Sequence, residues 1–396
     1  MRFLFVSTET RPVVGGVASA LDSWLTGLAE NGHQVLMLGL MNKASLKGKD
    51  SLNPRQYAEE WVVLPDRVDS HWDDFLLLRK ARSAEFLRWR RLLILQRFTQ
   101  VADVFQPDWV IFSVLNQVCC TPLGEAKRLG LRCATIAYGS EIHPNRVTQP
   151  DWLRRTLGRV DRVIAISNYT KRTLIDWGVK GDRISIVHPG LGPEIIERAR
   201  KTSLTTHPGN QLDEGSQLRL LTICRLIERK GIQTVMQCIA QLRNEFPELH
   251  YDIVGEGPYR GELERLAREL DIEKTVTFHG MIPDEERDDL LRICDIFVML
   301  SFEAQDGDVE GFGIVFLEAG LYSKSVIGSD SGGIPDAVIH QETGLLVPPQ
   351  DVAALIRALY RIHTDMNLRK RFEENGQIWA REHFPQWCGQ KIAKAL

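Results

Sequence analysis

The sequence predicts an α/β protein of two doubly wound domains, and three observations carry that prediction. Apolar runs of strand length alternate with helix-length amphipathic segments, the alternation occurs twice, and a polar stretch with Pro and Gly separates the two series. Such alternation implies βα units and mainly parallel sheets covered on both faces. At 396 residues the chain is also too long for one typical core.

In the first series the strands are "RFLFVS", "HQVLMLGL", "WVIF", "CATIAYG", "RVIAIS" and "ISIVHPG". In the second they are "LRLLTICRL", "YDIVGEG", "TVTFHGM", "IFVMLS", "SVIGSD" and "GLLVPP", each followed by a helical stretch or a turn. Between the series, "RARKTSLTTHPGNQLDEGSQ" (Arg198–Gln217) reads as linker or exposed loop. The expected division is a first domain over 1–191, a linker over 192–216, a second domain over 217–375, and a helical segment over 376–396. Open α/β sheets bind ligands beyond the carboxyl ends of their strands, so two such Rossmann-like domains are expected to face each other across a cleft.

Composition excludes several classes. A hydrophobic content of 43% and a charged content of 26% are those of a globular protein, not a disordered or fibrous one. Seven cysteines with no CxxC pair indicate neither a disulfide framework nor a zinc site, which fits a reducing cytoplasm. "MRFLFVSTE" lacks a cleavage site, and no segment approaches the ~18 consecutive apolar residues of a membrane span. No nucleic-acid partner is expected.

Charge is uneven along the chain. Residues 1–190 hold 26 Lys and Arg against 19 Asp and Glu, a balance of +7, which leaves −10 for the rest. The two halves should therefore prefer different partners. Much of the positive excess lies in "LRKARSAEFLRWRRLLILQR" (Leu78–Arg97), with seven basic residues interleaved with Phe86, Trp89 and leucines. This segment reads either as a core helix with a solvated basic face or as a helix lying on an anionic membrane.

Chemistry concentrates in the strand-end loops. Gly15 and Gly16 precede the first helix, where backbone can approach an anion closely. In "CRLIERKG", Arg225 and Lys230 flank a short turn before a helix, and two cations there can neutralise a diphosphate. In "DVEGFGIVFLEAG", Glu310 precedes a helix expected to begin near Gly313, and Glu318 lies inside it. The free N–H groups between the two carboxylates suit a phosphate. "VGEGPYRG" fails the dinucleotide-binding pattern: Gly255 and Gly257 fit, but Arg260 stands where the third glycine is required. "DGD" (Asp306–Asp308) matches a metal-binding D-x-D but is also ordinary loop chemistry, and we read it as loop.

Together, "CRLIERKG", the E-x7-E of "EGFGIVFLE", "SDSGGIPDAV" and "TGLLVPP" resemble the C-terminal half of family 4 retaining glycosyltransferases of the GT-B fold. "GGV", "RVIAISNYT" and "IVHPGL" resemble the first domain of that family in order and spacing. The resemblance implies that Arg225 and Lys230 bind the donor diphosphate, Glu318 the ribose hydroxyls and Glu310 the transferred sugar. It further implies that N–H groups of Gly16 and of Phe312, Gly313, Ile314 and Val315 receive sugar and phosphate oxygens. Gly255 would lie on the donor side, and main-chain groups of Met281 and Ile282 would read the base. The first domain would hold the acceptor, with Glu141 and His143 on that side, and the helical segment over 376–396 would cross back to pack on that domain. Where the family commonly has a histidine facing the sugar this chain has Tyr138, and either Tyr138 or nearby His143 takes that contact. The expected activity is metal-independent retaining transfer of a hexose, from a UDP-sugar such as UDP-glucose, to a glycan or lipid-linked acceptor. The donor is a co-substrate, and neither a cofactor nor a metal is expected. The enzyme is expected in the cytoplasm, peripheral on the inner face of the membrane. Alternatives are a nucleotide-sugar epimerase of the same fold and a non-catalytic sugar- or lipid-binding module.

Overall fold

Runs such as Phe3–Val6 and Val110–Phe112 are buried on both faces, which is why they read as unbroken apolar strands with no alternation. The computed structural model describes residues 1–8, 16–42, 58–64, 76–203 and 218–396. In chain order the first series is β1 (Arg2–Ser7), α1 (Gly16–Glu30), β2 (Gln34–Asn42), β3 (Ala58–Leu64), α2 (Leu76–Phe105), β4 (Trp109–Phe112), α3 (Leu123–Arg128), β5 (Arg132–Ala137), α4 (Pro150–Arg159), β6 (Arg162–Ala165), α5 (Asn168–Asp176) and β7 (Ile184–Ile186). The second is α6 (Pro193–Ser203), β8 (Arg219–Ile223), α7 (Ile232–Leu242), β9 (His250–Val254), α8 (Arg260–Glu269), β10 (Val276–Gly280), α9 (Asp284–Ile293), β11 (Ile296–Met299), α10 (Ile314–Leu321), β12 (Ser325–Ser329), α11 (Ile334–Ala337), β13 (Gly344–Val347), α12 (Val352–Thr364) and α13 (Met366–Arg381), before a last helix, α14 (Pro385–Ala395).

The chain forms two compact units. The first, Met1–Gly190 with Pro385–Leu396, is built on a seven-stranded parallel sheet of order β3-β2-β1-β4-β5-β6-β7. The direction of winding reverses between β1 and β4, where Val6 lies opposite Phe112. Its core joins Leu4, Val6, Val110 and Phe112 to Phe98 and Val101 of α2. The second unit, Leu191–Phe384, holds a six-stranded parallel sheet of order β10-β9-β8-β11-β12-β13, with its reversal between β8 and β11. Its core joins Leu220, Tyr251, Ile253 and Val298 to α7, α8 and α12.

Three features depart from the sequence-based expectation. Strand β3 was missed; it is an edge strand paired only with β2, and its acidic start masks the pattern. The linker expected over 192–216 opens with α6, because Ile195, Ile196 and Ala199 recur at helical spacing and are buried. Residues 204–217 of that segment lie outside the described residues. The second unit runs on to Phe384, past the expected end at 375, because α13 packs on α10 with Gly376 against Gly320. The C-terminal part of the first unit is therefore Pro385–Leu396.

Candidate active site

Strands β8 and β11 are neighbours at the point where the second sheet reverses, so the loops leaving their carboxyl ends lie side by side. In open α/β sheets this is where ligands bind. The β8 loop carries Arg225 and then a single 3-10 turn, Glu228–Lys230, closed by Gly231. The β11 loop carries Asp308, Glu310 and Phe312 and ends at Gly313, whose left-handed backbone (φ 94°) caps α10. Helix α10 thus begins one residue after the position expected from sequence. No side chain caps it, and the N–H groups of its first turn have no acceptor within the helix.

Four charged side chains alternate in sign here. The Lys230 ammonium donates to Glu310 Oε2 at 2.5 Å, and Arg229 Nη1 reaches the same oxygen at 3.3 Å. Arg229 Nε lies 2.8 Å from Asp308 Oδ2. Burial alone would raise the Glu310 carboxyl, but the Lys230 and Arg229 cations outweigh it and hold it below the usual carboxylate range. Glu310 is therefore an anion at neutral pH. Asp308, the second acid of "DGD", is engaged by Arg229, and its N–H donates to Asp306 Oδ1 at 3.0 Å, as loop chemistry requires. Arg225 differs: it is exposed and has no ion pair among the described residues, so its cation stays available at the strand end.

Glu318 sits in the second turn of α10, 9% exposed, and its Oε2 accepts no hydrogen bond. Burial raises its pKa, and Arg287 opposes that shift. Gly255 follows β9 at φ 127°, where a Cβ would stand 1.9 Å from the Cys224 carbonyl oxygen. Glycine there lets the β8 and β9 loops touch. Met281 and Ile282 follow β10; Met281 is exposed and Ile282 half-buried. Phe312 is buried against His383, and Ile314 and Val315 form the first turn of α10.

Gly16, Tyr138, Glu141 and His143 belong to the first unit. Gly16 is the first residue of α1, and Gly15 lies outside the described residues. Tyr138 is buried against Trp24 of α1, with ring centroids 6.4 Å apart. Glu141 Oε1 accepts the Tyr138 N–H at 2.6 Å, so this carboxylate anchors the turn after β5. Burial raises its pKa, partly offset by backbone N–H groups of Tyr138, Glu141 and Gly139. His143 Nδ1 accepts the Asn145 N–H at 3.2 Å.

Sequence reasoning missed Arg229, although it shares a turn with Lys230. It also missed Arg287, although Asp284, Arg287 and Asp288 at i, i+3 and i+4 mark one charged helix face.

Two parallel doubly wound units in tandem, with cations and buried carboxylates gathered at the reversal of the second sheet, define an α/β fold of the GT-B type. The profile of Glycosyltransferase Family 4 matches residues 14–194, and that of Glycosyl transferases group 1 matches residues 206–379. The GDP-mannose-dependent monoacylated alpha-(1-6)-phosphatidylinositol monomannoside mannosyltransferase of Corynebacterium glutamicum is 37% identical over 297 residues, covering 72% of this chain and 76% of the relative. The amylovoran biosynthesis glycosyltransferase AmsK of Erwinia amylovora is 28% identical over 243 residues, covering 61% of this chain but only 57% of that relative. The crystal structure of Anabaena HepE with UDP and glucose superposes with a TM-score of 0.70 at 19% identity, over all of this chain and 98% of that one. The chain belongs to family 4 of the glycosyltransferases.

Proposed function

We propose that the protein transfers a hexose, with retention of configuration, from a nucleoside diphosphate sugar to a glycan or lipid-linked acceptor. The observation that carries this reading is the Lys230–Glu310 ion pair, with Arg229 on the same oxygen, beside the start of α10, which no side chain caps. Arg225 and Lys230 take the diphosphate, whose negative charge grows as the glycosidic bond breaks; fixed cations are most effective against charge that develops in the transition state. First-turn N–H groups of α10 assist them. Glu310 accepts hydroxyls of the sugar and Glu318 those of the ribose. Met281 and Ile282 present main-chain groups to the base. The acceptor attacks the face from which the diphosphate leaves, and the leaving phosphate oxygen takes the acceptor proton. This route requires neither a metal nor a carboxylate nucleophile.

GDP-mannose is the leading donor, since the relative from C. glutamicum is named for it at 37% identity. UDP-glucose is the second candidate; the UDP-bound Anabaena protein shares the fold at 19% identity. One relative is named for amylovoran biosynthesis and another for a phosphatidylinositol monomannoside, which supports either acceptor class. Thermal unfolding with GDP, UDP, GDP-mannose and UDP-glucose tests the reading. A bound nucleotide at 100 times its Kd stabilises by about 2.7 kcal/mol, and a chain indifferent to all four ligands would rule the donor site out.

Membrane attachment is part of the proposal. Helix α2 buries Ile94, Phe98 and Val101, while Trp89 and Leu92 are 54% and 55% exposed beside exposed Arg88 and Arg91. Aromatic and aliphatic groups among cations suit the surface of an anionic membrane. No helix among the described residues is long and apolar enough to cross one.

A further inference from the structure

Glu318 is flanked by a charge network that no part of the proposed chemistry uses. Helix α9 presents Asp284, Arg287 and Asp288 on one face. Arg287 Nη1 lies 3.7 Å from Glu318 Oε2, and Arg287 Nη2 lies 3.7 Å from Asp284 Oδ1. From α6, Arg198 takes both aspartates, with Nε 2.5 Å from Asp288 Oδ2 and Nη1 3.1 Å from Asp284 Oδ2. The order of charges is thus Glu318, Arg287, Asp284 and Asp288, Arg198. Three polar atoms in the row are buried without a hydrogen bond: Glu318 Oε2, Arg287 Nε and Asp288 Oδ1. A carboxyl oxygen buried without a hydrogen bond beside a guanidinium has acceptor capacity left for a ligand hydroxyl.

We propose that Arg287 is a positioning residue whose guanidinium holds the Glu318 carboxylate as the acceptor of the donor's ribose diol, with Arg198 neutralising the two aspartates that would otherwise compete for Arg287. This rests on the ribose-binding role given to Glu318 above. Burial raises the Glu318 pKa; Arg287 pulls it down, Asp284 and Asp288 push it up, and Arg198 pulls it down. Without Arg287 the carboxyl protonates at a higher pH. A protonated carboxyl has a hydroxyl of its own to donate and accepts a vicinal diol poorly. Arg198 lies in the segment the sequence suggested was linker, so α6 acquires a task in nucleotide recognition.

The test is calorimetric titration of GDP and UDP, each beside its 2′,3′-dideoxy form, into wild type, Arg287→Gln, Arg287→Lys and Glu318→Gln between pH 6 and 8. Wild type is expected to prefer the ribose form at least tenfold. Arg287→Gln is expected to lose most of that preference while binding the dideoxy form as wild type does, and its affinity for the ribose form should begin to fall at a higher pH. Arg287→Lys should restore part of the preference. If Arg287→Gln keeps the full preference, or weakens both forms equally, the inference is overturned while Glu318 keeps its role. If wild type and Glu318→Gln show no preference, the ribose role of Glu318 fails and the inference fails with it.

Discussion

Two carboxylates on the same short stretch of chain are driven in opposite directions by their neighbours. Glu310 is held charged by Lys230 and Arg229, whereas burial disfavours the charge on Glu318. A lowered pKa in the fold means that the stability Glu310 contributes is complete above the unfolded value of about 4.3 and is lost as pH falls through the folded value. Glu310 therefore keeps its charge at neutral and higher pH. Glu318 has the opposite sign: with a raised pKa, its ionisation opposes folding as pH rises through the unfolded value toward the folded one. Glu318→Gln should raise the melting temperature at pH 8 while weakening nucleoside diphosphate binding at least tenfold; a lower melting temperature would mean that Glu318 is structural. Replacing Arg225 or Lys230 with alanine should lower turnover at least ~100-fold with the fold retained, the usual loss for one donor that acts in the transition state. Near-normal rates in both variants would remove the diphosphate role. Arg225, Lys230, Glu310 and Glu318 were legible because their spacing is a motif. Arg229 and Arg287 were not, since a single arginine beside a motif or on a helix face looks like solvated charge until its partners are known.

Strand–helix alternation was legible because parallel strands buried on both faces leave continuous apolar runs. The exceptions are elements with only one demanding face: the edge strand β3 and the helix α6, whose polar residues outnumber Ile195, Ile196 and Ala199. Helix α14 makes its principal packing with α1 through glycine: a Cβ on Gly27 would stand 1.7 Å from the Pro385 carbonyl oxygen, and one on Gly389 would stand 2.2 Å from the Gly27 carbonyl carbon. Backbone cannot yield as a flexible side chain can, so Gly27→Ala and Gly389→Ala should each destabilise the protein by about 1–3 kcal/mol, as overpacking does. Thermal denaturation measures this directly, and unchanged melting in both variants would show that α14 does not hold its place through this contact.

Across the whole chain, a first unit rich in cations and a second rich in acids divide the work the proposal assigns: acceptor and surface to one, nucleotide sugar to the other. Each exposed Lys or Arg near an anionic surface contributes on the order of 1 kcal/mol. The protein should therefore sediment with anionic but not neutral vesicles, be released by salt, and lose attachment when Arg88 and Arg91 become glutamine and Trp89 becomes alanine. Sedimentation indifferent to lipid charge would leave α2 a core helix with a solvated face. The central claim is retaining, metal-independent chemistry on a nucleotide sugar, and it can be tested without knowing the acceptor. The measurement is proton NMR of the sugar first released when the protein slowly hydrolyses GDP-mannose or UDP-glucose in EDTA. Release of the α-anomer from one of these α-linked donors is expected, abolished in Lys230→Ala. First appearance of the β-anomer, or release that requires added manganese, would contradict it.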